Sequence, residues 1–209
     1  MKTPDTKPGL PQHDRFTLWW VTGWFAIRHL LHFRSLRWEG ESVLPERAVL
    51  LIQNHFSWWD GYWAWLISRR MGKVFNVMML QEQIAAHPFL TRCGAFPVIP
   101  GQRQAIEAID TAAGLLKNNR NMVVIFPQGS IETQHQPAIA FAAGVERIIR
   151  RSDPKPTVLF AVVLVDYFSS PRPAVTIRLK EQSVSDGDSL SLQDRYNEFY
   201  TWSIAQQKG

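Results

Sequence analysis

Cysteine is almost absent from this chain. The single residue, Cys93, excludes an intramolecular disulfide and fits a reducing, cytoplasmic setting. It sits in Thr91-Arg92-Cys93-Gly94 without the partner motif of a catalytic cysteine, so a nucleophilic role is not expected. No histidine or cysteine shows metal-ligand spacing, and no metal or cofactor is expected. Long apolar runs are missing too. The uncharged stretch from Phe16 ends at Ile27, before Arg28, His29 and His32, and is short of the ~20 apolar residues that cross a bilayer. It also lacks a basic start and a small-residue cleavage site, so a signal peptide is not expected. No run of five basic residues occurs, and no zinc-finger, RRM-like or helix-turn-helix pattern, so nucleic acid is not an expected partner. Internal repeats and low-complexity blocks are absent.

What the chain does contain is globular. Its 209 residues are 45% hydrophobic and 20% charged, enough to bury a core in one domain with a small appendage. The net charge of +5 is spread out, with small clusters at Arg69-Arg70 and Arg150-Arg151, and suits anionic lipid or a phosphate-rich cosubstrate. Tryptophan is unusually frequent, at nine residues. Trp19, Trp20 and Trp24 form one cluster, Trp58 and Trp59 another, with Trp63 and Trp65 close behind. An indole is apolar but its N–H seeks a partner, so it favours the membrane–water boundary. The aromatic stretch from Phe16 to Phe33 therefore reads as a helix lying in or re-entering a membrane surface.

Beyond a polar, proline-bearing tail from Met1 to Asp14, strands and helices alternate. Strands are expected at Ala48 to Gln53, Val74 to Leu80, Ala95 to Ile99, Met122 to Phe126, Val158 to Val165 and, at an edge, Ala174 to Leu179. Helices are expected at Trp59 to Arg70, Gln81 to His87, Gln102 to Lys117, Ile139 to Arg151 and Leu190 to Gln206. The near-continuous apolar run at Val158 to Val165 marks a strand buried on both faces. The pattern predicts an α/β fold: a mixed, mostly parallel sheet flanked by helices, with the N-terminal helix as a membrane-docking segment.

The segment Asn54-His55-Phe56-Ser57-Trp58-Trp59-Asp60 follows a buried strand and opens a helix. Ligands gather at the carboxyl ends of such strands. A loop between His55 and Asp60 that folds back brings the carboxylate to one ring nitrogen. That fixes the tautomer and leaves the other nitrogen free to take a proton from a hydroxyl. A structural histidine with a capping aspartate is the alternative. Ser57 lies in no Gly-x-Ser-x-Gly elbow and is not the expected nucleophile. A second signal, Phe126-Pro127-Gln128-Gly129-Ser130, also stands at a strand end, where glycine allows close approach and backbone N–H groups can cradle an anion.

Together these two blocks resemble the lysophospholipid acyltransferase family, with its Asn-His-x-x-x-x-Asp and Phe-Pro-Glu-Gly-Thr motifs. Met79-Leu80-Gln81-Glu82, Pro88-Phe89-Leu90, Gly94-Ala95-Phe96-Pro97-Val98 and Phe141-Ala142-Ala143-Gly144-Val145 extend the resemblance over about residues 45–165. It implies transfer of a fatty acyl group from acyl-CoA or acyl-carrier protein to a lipid hydroxyl. His55 would be the base, Asp60 its orienter, and Asn54, Arg103, Gln128, Gly129 and Ser130 the substrate-binding residues. It also implies a flexible tail over residues 1–14, a membrane-associating segment over 15–40 and an acyltransferase domain over 41–209. The expected place is the cytoplasmic side of a membrane, peripheral or monotopic.

The chain departs from the family where acceptors are handled. Pro100 stands where an arginine is usual, with Arg103 three residues on. Gln128 replaces the family's glutamate, Ile131 the arginine after the threonine, and Ala161 a later proline; Glu132 follows as a candidate for the missing charge. The departures leave two readings, an acceptor other than the usual lysophosphatidic acid or a degraded site; Arg103 in the arginine's place would keep lysophosphatidic acid itself as an acceptor. A non-catalytic lipid-binding relative, or an acyl hydrolase using the same His/Asp pair, are the alternatives.

Overall fold

Apolar runs separated by amphipathic stretches fold into one sheet with helices on both faces. The structure is a computed structural model describing residues 9–40, 45–99, 103–142, 144–184 and 190–208, and of Arg103 only the backbone. In chain order the elements are α1 (Arg15–His32), β1 (Ser35–Gly40), β2 (Val49–Gln53), α2 (Asp60–Arg70), β3 (Val74–Leu80), α3 (Gln81–Ala86), α4 (Phe89–Arg92), β4 (Ala95–Val98), α5 (Arg103–Leu115), β5 (Asn121–Ile125), α6 (Val145–Arg151), β6 (Thr157–Asp166), β7 (Ala174–Gln182) and α7 (Leu192–Ala205).

The seven-stranded sheet runs in the order β1-β7-β6-β2-β5-β3-β4. Every neighbouring pair is parallel except β6 and β7. Side chains alternate across a strand, so the two faces take alternate residues. Leu50, Ile52, Val123, Ile125, Phe160 and Val162 pack under Ala112, Ile148 and Tyr196 of α5, α6 and α7. Val49, Leu51, Met122, Val124, Leu159 and Val163 pack on the other face with Trp63, Ala64 and Ile67 of α2. The central strand β2 is buried at every residue, as expected of a parallel strand covered on both sides.

The outer half of the sheet differs from the sequence expectation. β7 is not an edge, because β1 pairs with it in parallel from Ser35↔Ala174 to Gly40↔Leu179. β1 (Ser-Leu-Arg-Trp-Glu-Gly) is half exposed and too polar for a core strand, so its periodicity is silent. Long-range contacts fix it instead. Buried Arg178 donates to Glu39 Oε2 at 2.8 Å, to the Ser203 carbonyl at 2.9 Å and to Gln207 Oε1 at 2.7 Å, tying β1 and the end of α7 to β7. A boundary at residue 40 therefore cuts off a strand of the main sheet.

The helix expected from Ile139 begins only at Val145. The N–H groups of Ile139 and Phe141 donate at 2.7 Å to Asn197 Oδ1 and Gln193 Oε1 of α7, and that of Ala142 donates to the Pro127 carbonyl at 2.7 Å. Amides committed to α7 cannot enter a helical ladder. Gly144, at φ +139°, then turns the chain into α6. The proline-bearing start of the chain is also held at its described end. Gln12 and Asp14 donate to the carbonyls of Thr91 and Arg92 at 3.0 and 2.9 Å, and Asp14 caps α1 by accepting from the Thr17 N–H at 2.9 Å. Residues 1–8 of the expected tail lie outside the described residues.

α1 buries none of its residues fully. It touches the domain through Phe25, which stacks on Trp58 and Tyr62 at ring-centroid distances of 4.9 and 5.2 Å. Leu18, Val21 and His29 are half-buried on the same side, and the opposite side is bare: Phe16 and Leu30 are 70% and 74% exposed, and Trp19, Trp20, Ile27 and Leu31 are exposed with them. No helix among the described residues is long and apolar enough to cross a membrane.

Candidate active site

β2 and β5 lie side by side in parallel, with Ile52 opposite Ile125. Their carboxyl ends therefore emerge together, and the two sequence blocks meet there. The first block forms a tight loop. Asp60, the first residue of α2, turns back so that its Oδ2 accepts from the N–H of Phe56 at 2.7 Å, the N–H of Ser57 at 2.8 Å and His55 Nδ1 at 2.8 Å. Ser57 is spent in the same turn, its Oγ accepting from the Trp59 N–H at 2.9 Å. The polar residues at the loop serve its geometry, and an acceptor carboxylate at Nδ1 leaves His55 Nε2 as the basic nitrogen.

Burial divides the pair. Asp60 is fully buried, while the His55 side chain is 22% exposed. Burial pushes the Asp60 carboxyl above its usual range, and the hydrogen bonds from His55, Ser57 and Phe56 pull it back only in part. Asp60 Oδ1 is buried without a partner among the described residues. A desolvated carboxylate of this kind favours a cation beside it, which is what His55 becomes when it takes a proton.

Phe126 of the second block, which composition and spacing do not single out, lies flat against the imidazole with ring centroids 4.3 Å apart and planes 20° apart. Gln128 crosses from the turn after β5 to the first block. Its Oε1 accepts from the His55 N–H at 2.6 Å, and its Nε2 donates to the His55 carbonyl at 3.3 Å and to Glu132 Oε2 at 3.1 Å. Glu132 adds a backbone bond to the His55 carbonyl at 2.9 Å. The histidine is thus gripped through its ring and through its backbone.

The other expected residues separate. Asn54 is 1% exposed, and its amide exchanges two 2.8 Å hydrogen bonds with the backbone of Val163. It clamps β2 to β6 and has no surface left for substrate. The Gly129 N–H is used by the Phe126 carbonyl at 3.1 Å, so it closes a turn and does not cradle an anion. The turn needs its φ of +73°. Ser130 is exposed at the rim of that turn. The Arg103 side chain lies outside the described residues. Cys93 is 8% exposed and burial pushes its thiol up to about 11, which suits a buried structural cysteine. Among the described residues no cluster of His, Cys, Asp and Glu can hold a metal ion. A groove of about 620 Å³ beside α5, lined by Leu10, Thr111, Gly114 and Asn118 among others, touches neither His55 nor Asp60.

A histidine oriented by a buried aspartate, at the carboxyl ends of two parallel strands, has the geometry to take a proton from a hydroxyl. The chain belongs to the Acyltransferase family, whose model matches residues 35–165. No curated protein matches it. Among solved structures it resembles the 1-acyl-sn-glycerophosphate (LPA) acyltransferase PlsC from Thermotoga maritima, at 16% identity and a TM-score of 0.58, over 90% of this chain and 78% of that one. That likeness is one of fold: a mostly parallel sheet between helices.

Proposed function

We propose that this acyltransferase moves a fatty acyl group from a thioester, acyl-CoA or acyl-carrier protein, to a hydroxyl of a lipid at a membrane surface. The observation that carries the reading is the His55–Asp60 pair, held at 2.8 Å, with no partner for the outer nitrogen among the described residues. The acceptor O–H bond breaks as His55 Nε2 takes the proton, and the oxygen bonds to the thioester carbonyl carbon. The tetrahedral adduct collapses, the C–S bond breaks, and the leaving sulfur recovers the proton from His55. Asp60 stabilises the imidazolium between the two steps and holds the ring, with Phe126, in one plane.

The bare apolar face of α1 supports a membrane-surface location. Phe16, Trp20, Ile27 and Leu31 recur at helical spacing along it, and Trp58 continues the patch from the catalytic loop. A lipid acceptor presented there reaches the histidine without leaving the interface. The net charge of +5 favours both anionic lipid and a phosphate-bearing donor. The proposed place is the cytoplasmic face, where such donors are made.

The test is to incubate the purified chain with radiolabelled acyl-CoA, then acyl-carrier protein, and a mixed lipid extract. Label in a new lipid ester supports acyl transfer. Free labelled fatty acid with no dependence on lipid is the result of a hydrolase. No turnover of either donor is the result of a lipid-binding protein and contradicts the proposal.

A further inference from the structure

Glu132 reaches the catalytic histidine by two routes. Its N–H donates to the His55 carbonyl at 2.9 Å, and its Oε2 accepts from Gln128 Nε2 at 3.1 Å. The same glutamine accepts from the His55 N–H at 2.6 Å. A backbone N–H can only donate, so the amide oxygen of Gln128 faces His55 and its NH2 faces Glu132. A carboxylate at position 128 could not do both. It would stand about 3 Å from Glu132, where two carboxylates do not both stay ionised. Gln128 is therefore what allows an acidic side chain here.

That acidic side chain is underused by the fold. Glu132 is half-buried, pairs with no cation among the described residues, and has no partner there for Oε1. The preceding side chain, Ile131, is exposed and carries no charge to balance it. One glutamine away from the His55 backbone, Glu132 thus offers a hydrogen-bond acceptor of negative sign.

We propose that Glu132, set in place by Gln128, determines acceptor specificity by accepting hydrogen bonds from an uncharged polyhydroxyl head, such as a lipid-linked sugar, and by repelling a phosphate monoester. The inference rests on the acyl-transfer reading above. A sugar presents neighbouring O–H donors that a carboxylate can take together, whereas a phosphate dianion presents only acceptors and like charge. Hydrogen bonds to a charged group are among the stronger ones, so the discrimination amounts to about 10- to 100-fold.

The experiment compares kcat/KM for acyl transfer to dodecyl glucoside and to 1-oleoylglycerol 3-phosphate, in the full chain, with acyl-CoA and acyl-carrier protein as donors. Wild type is expected to favour the glucoside. Glu132→Gln should lower the ratio of kcat/KM for the glucoside over that for the phosphate acceptor by about 10-fold or more, chiefly through KM for the glucoside. Glu132→Arg should favour the phosphate acceptor outright. Wild type using the phosphate acceptor as well or better overturns the inference while acyl transfer stands, and so does an equal loss on both acceptors in Glu132→Gln. No ester from either acceptor with either donor removes the acyl-transfer reading itself, and the inference with it.

Discussion

Asp60 opens α2, yet its carboxylate points back out of the helix to accept from His55 Nδ1 at 2.8 Å and from the N–H groups of Phe56 and Ser57. One buried oxygen both folds the loop and orients the His55 ring. Replacing it with an amide separates the two duties. Asp60→Asn keeps the shape but presents the wrong group to the imidazole, and kcat is expected to fall by about 10⁴-fold with little change in KM for the donor. Steady-state kinetics on the variant check this. A loss of tenfold or less would mean that His55 does not depend on Asp60.

The same residue gives a pH signature. Burial raises the Asp60 carboxyl above its usual range, so the folded chain keeps a proton that the unfolded chain has already released. Its stabilising contribution is present below the ordinary carboxylate range and is lost as pH rises through the raised value. Asparagine carries no such charge. Thermal melts across that window should show Asp60→Asn gaining on wild type as pH increases; a gap that widens in the opposite sense contradicts the assignment.

Asn54 is a stability residue. Asn54→Ala strips the partners from the buried N–H and carbonyl of Val163 and should cost roughly 2–4 kcal/mol, read by urea denaturation. Protein that remains folded should retain donor binding, because Asn54 does not face the site.

The contrast between Asn54 and its neighbour shows how much of the site was legible in the sequence. The pairing of His55 with Asp60 could be read because both ends of the loop are local, set by the strand exit before it and the helix start after it. The use of Asn54 could not, because its partner is Val163, far along the chain. Gln128 and Glu132 stand between these cases: the block was visible, but the amide's bridge to His55 depends on β2 and β5 being neighbours. The fold follows the same division. β2, β3 and β6 announce themselves as apolar runs, while β1 is held by Arg178 and the pairing with β7. The helix expected from Ile139 is pre-empted by Asn197 and Gln193, which only the packing of α7 brings near.

Cys93 should behave as an inert thiol. With 8% exposure and a thiol pushed up to about 11, it should react with a maleimide at neutral pH at least about 10²-fold more slowly than an exposed cysteine. Mass spectrometry follows the adduct, and urea should restore rapid labelling. Fast labelling of the native chain would place Cys93 in an open site.

Phe16 and Leu31 test the face of α1. Both are exposed, at 70% and 64%, so substitution should spare the fold. Phe16→Ser and Leu31→Ser should each weaken partitioning onto anionic liposomes by about 10- to 100-fold in co-sedimentation, the worth of burying one such side chain. Unchanged partitioning would put the membrane contact elsewhere.

His55→Ala, assayed beside wild type for transfer of a labelled acyl group into lipid, bears most directly on the central claim. The account predicts labelled ester with wild type and a rate lower by about 10²- to 10⁴-fold in the variant, the usual worth of a positioned base. Melting temperature and liposome binding should stay close to wild type. Equal ester formation by both proteins would show that His55 is not the base, and the site would have to be sought elsewhere on the sheet.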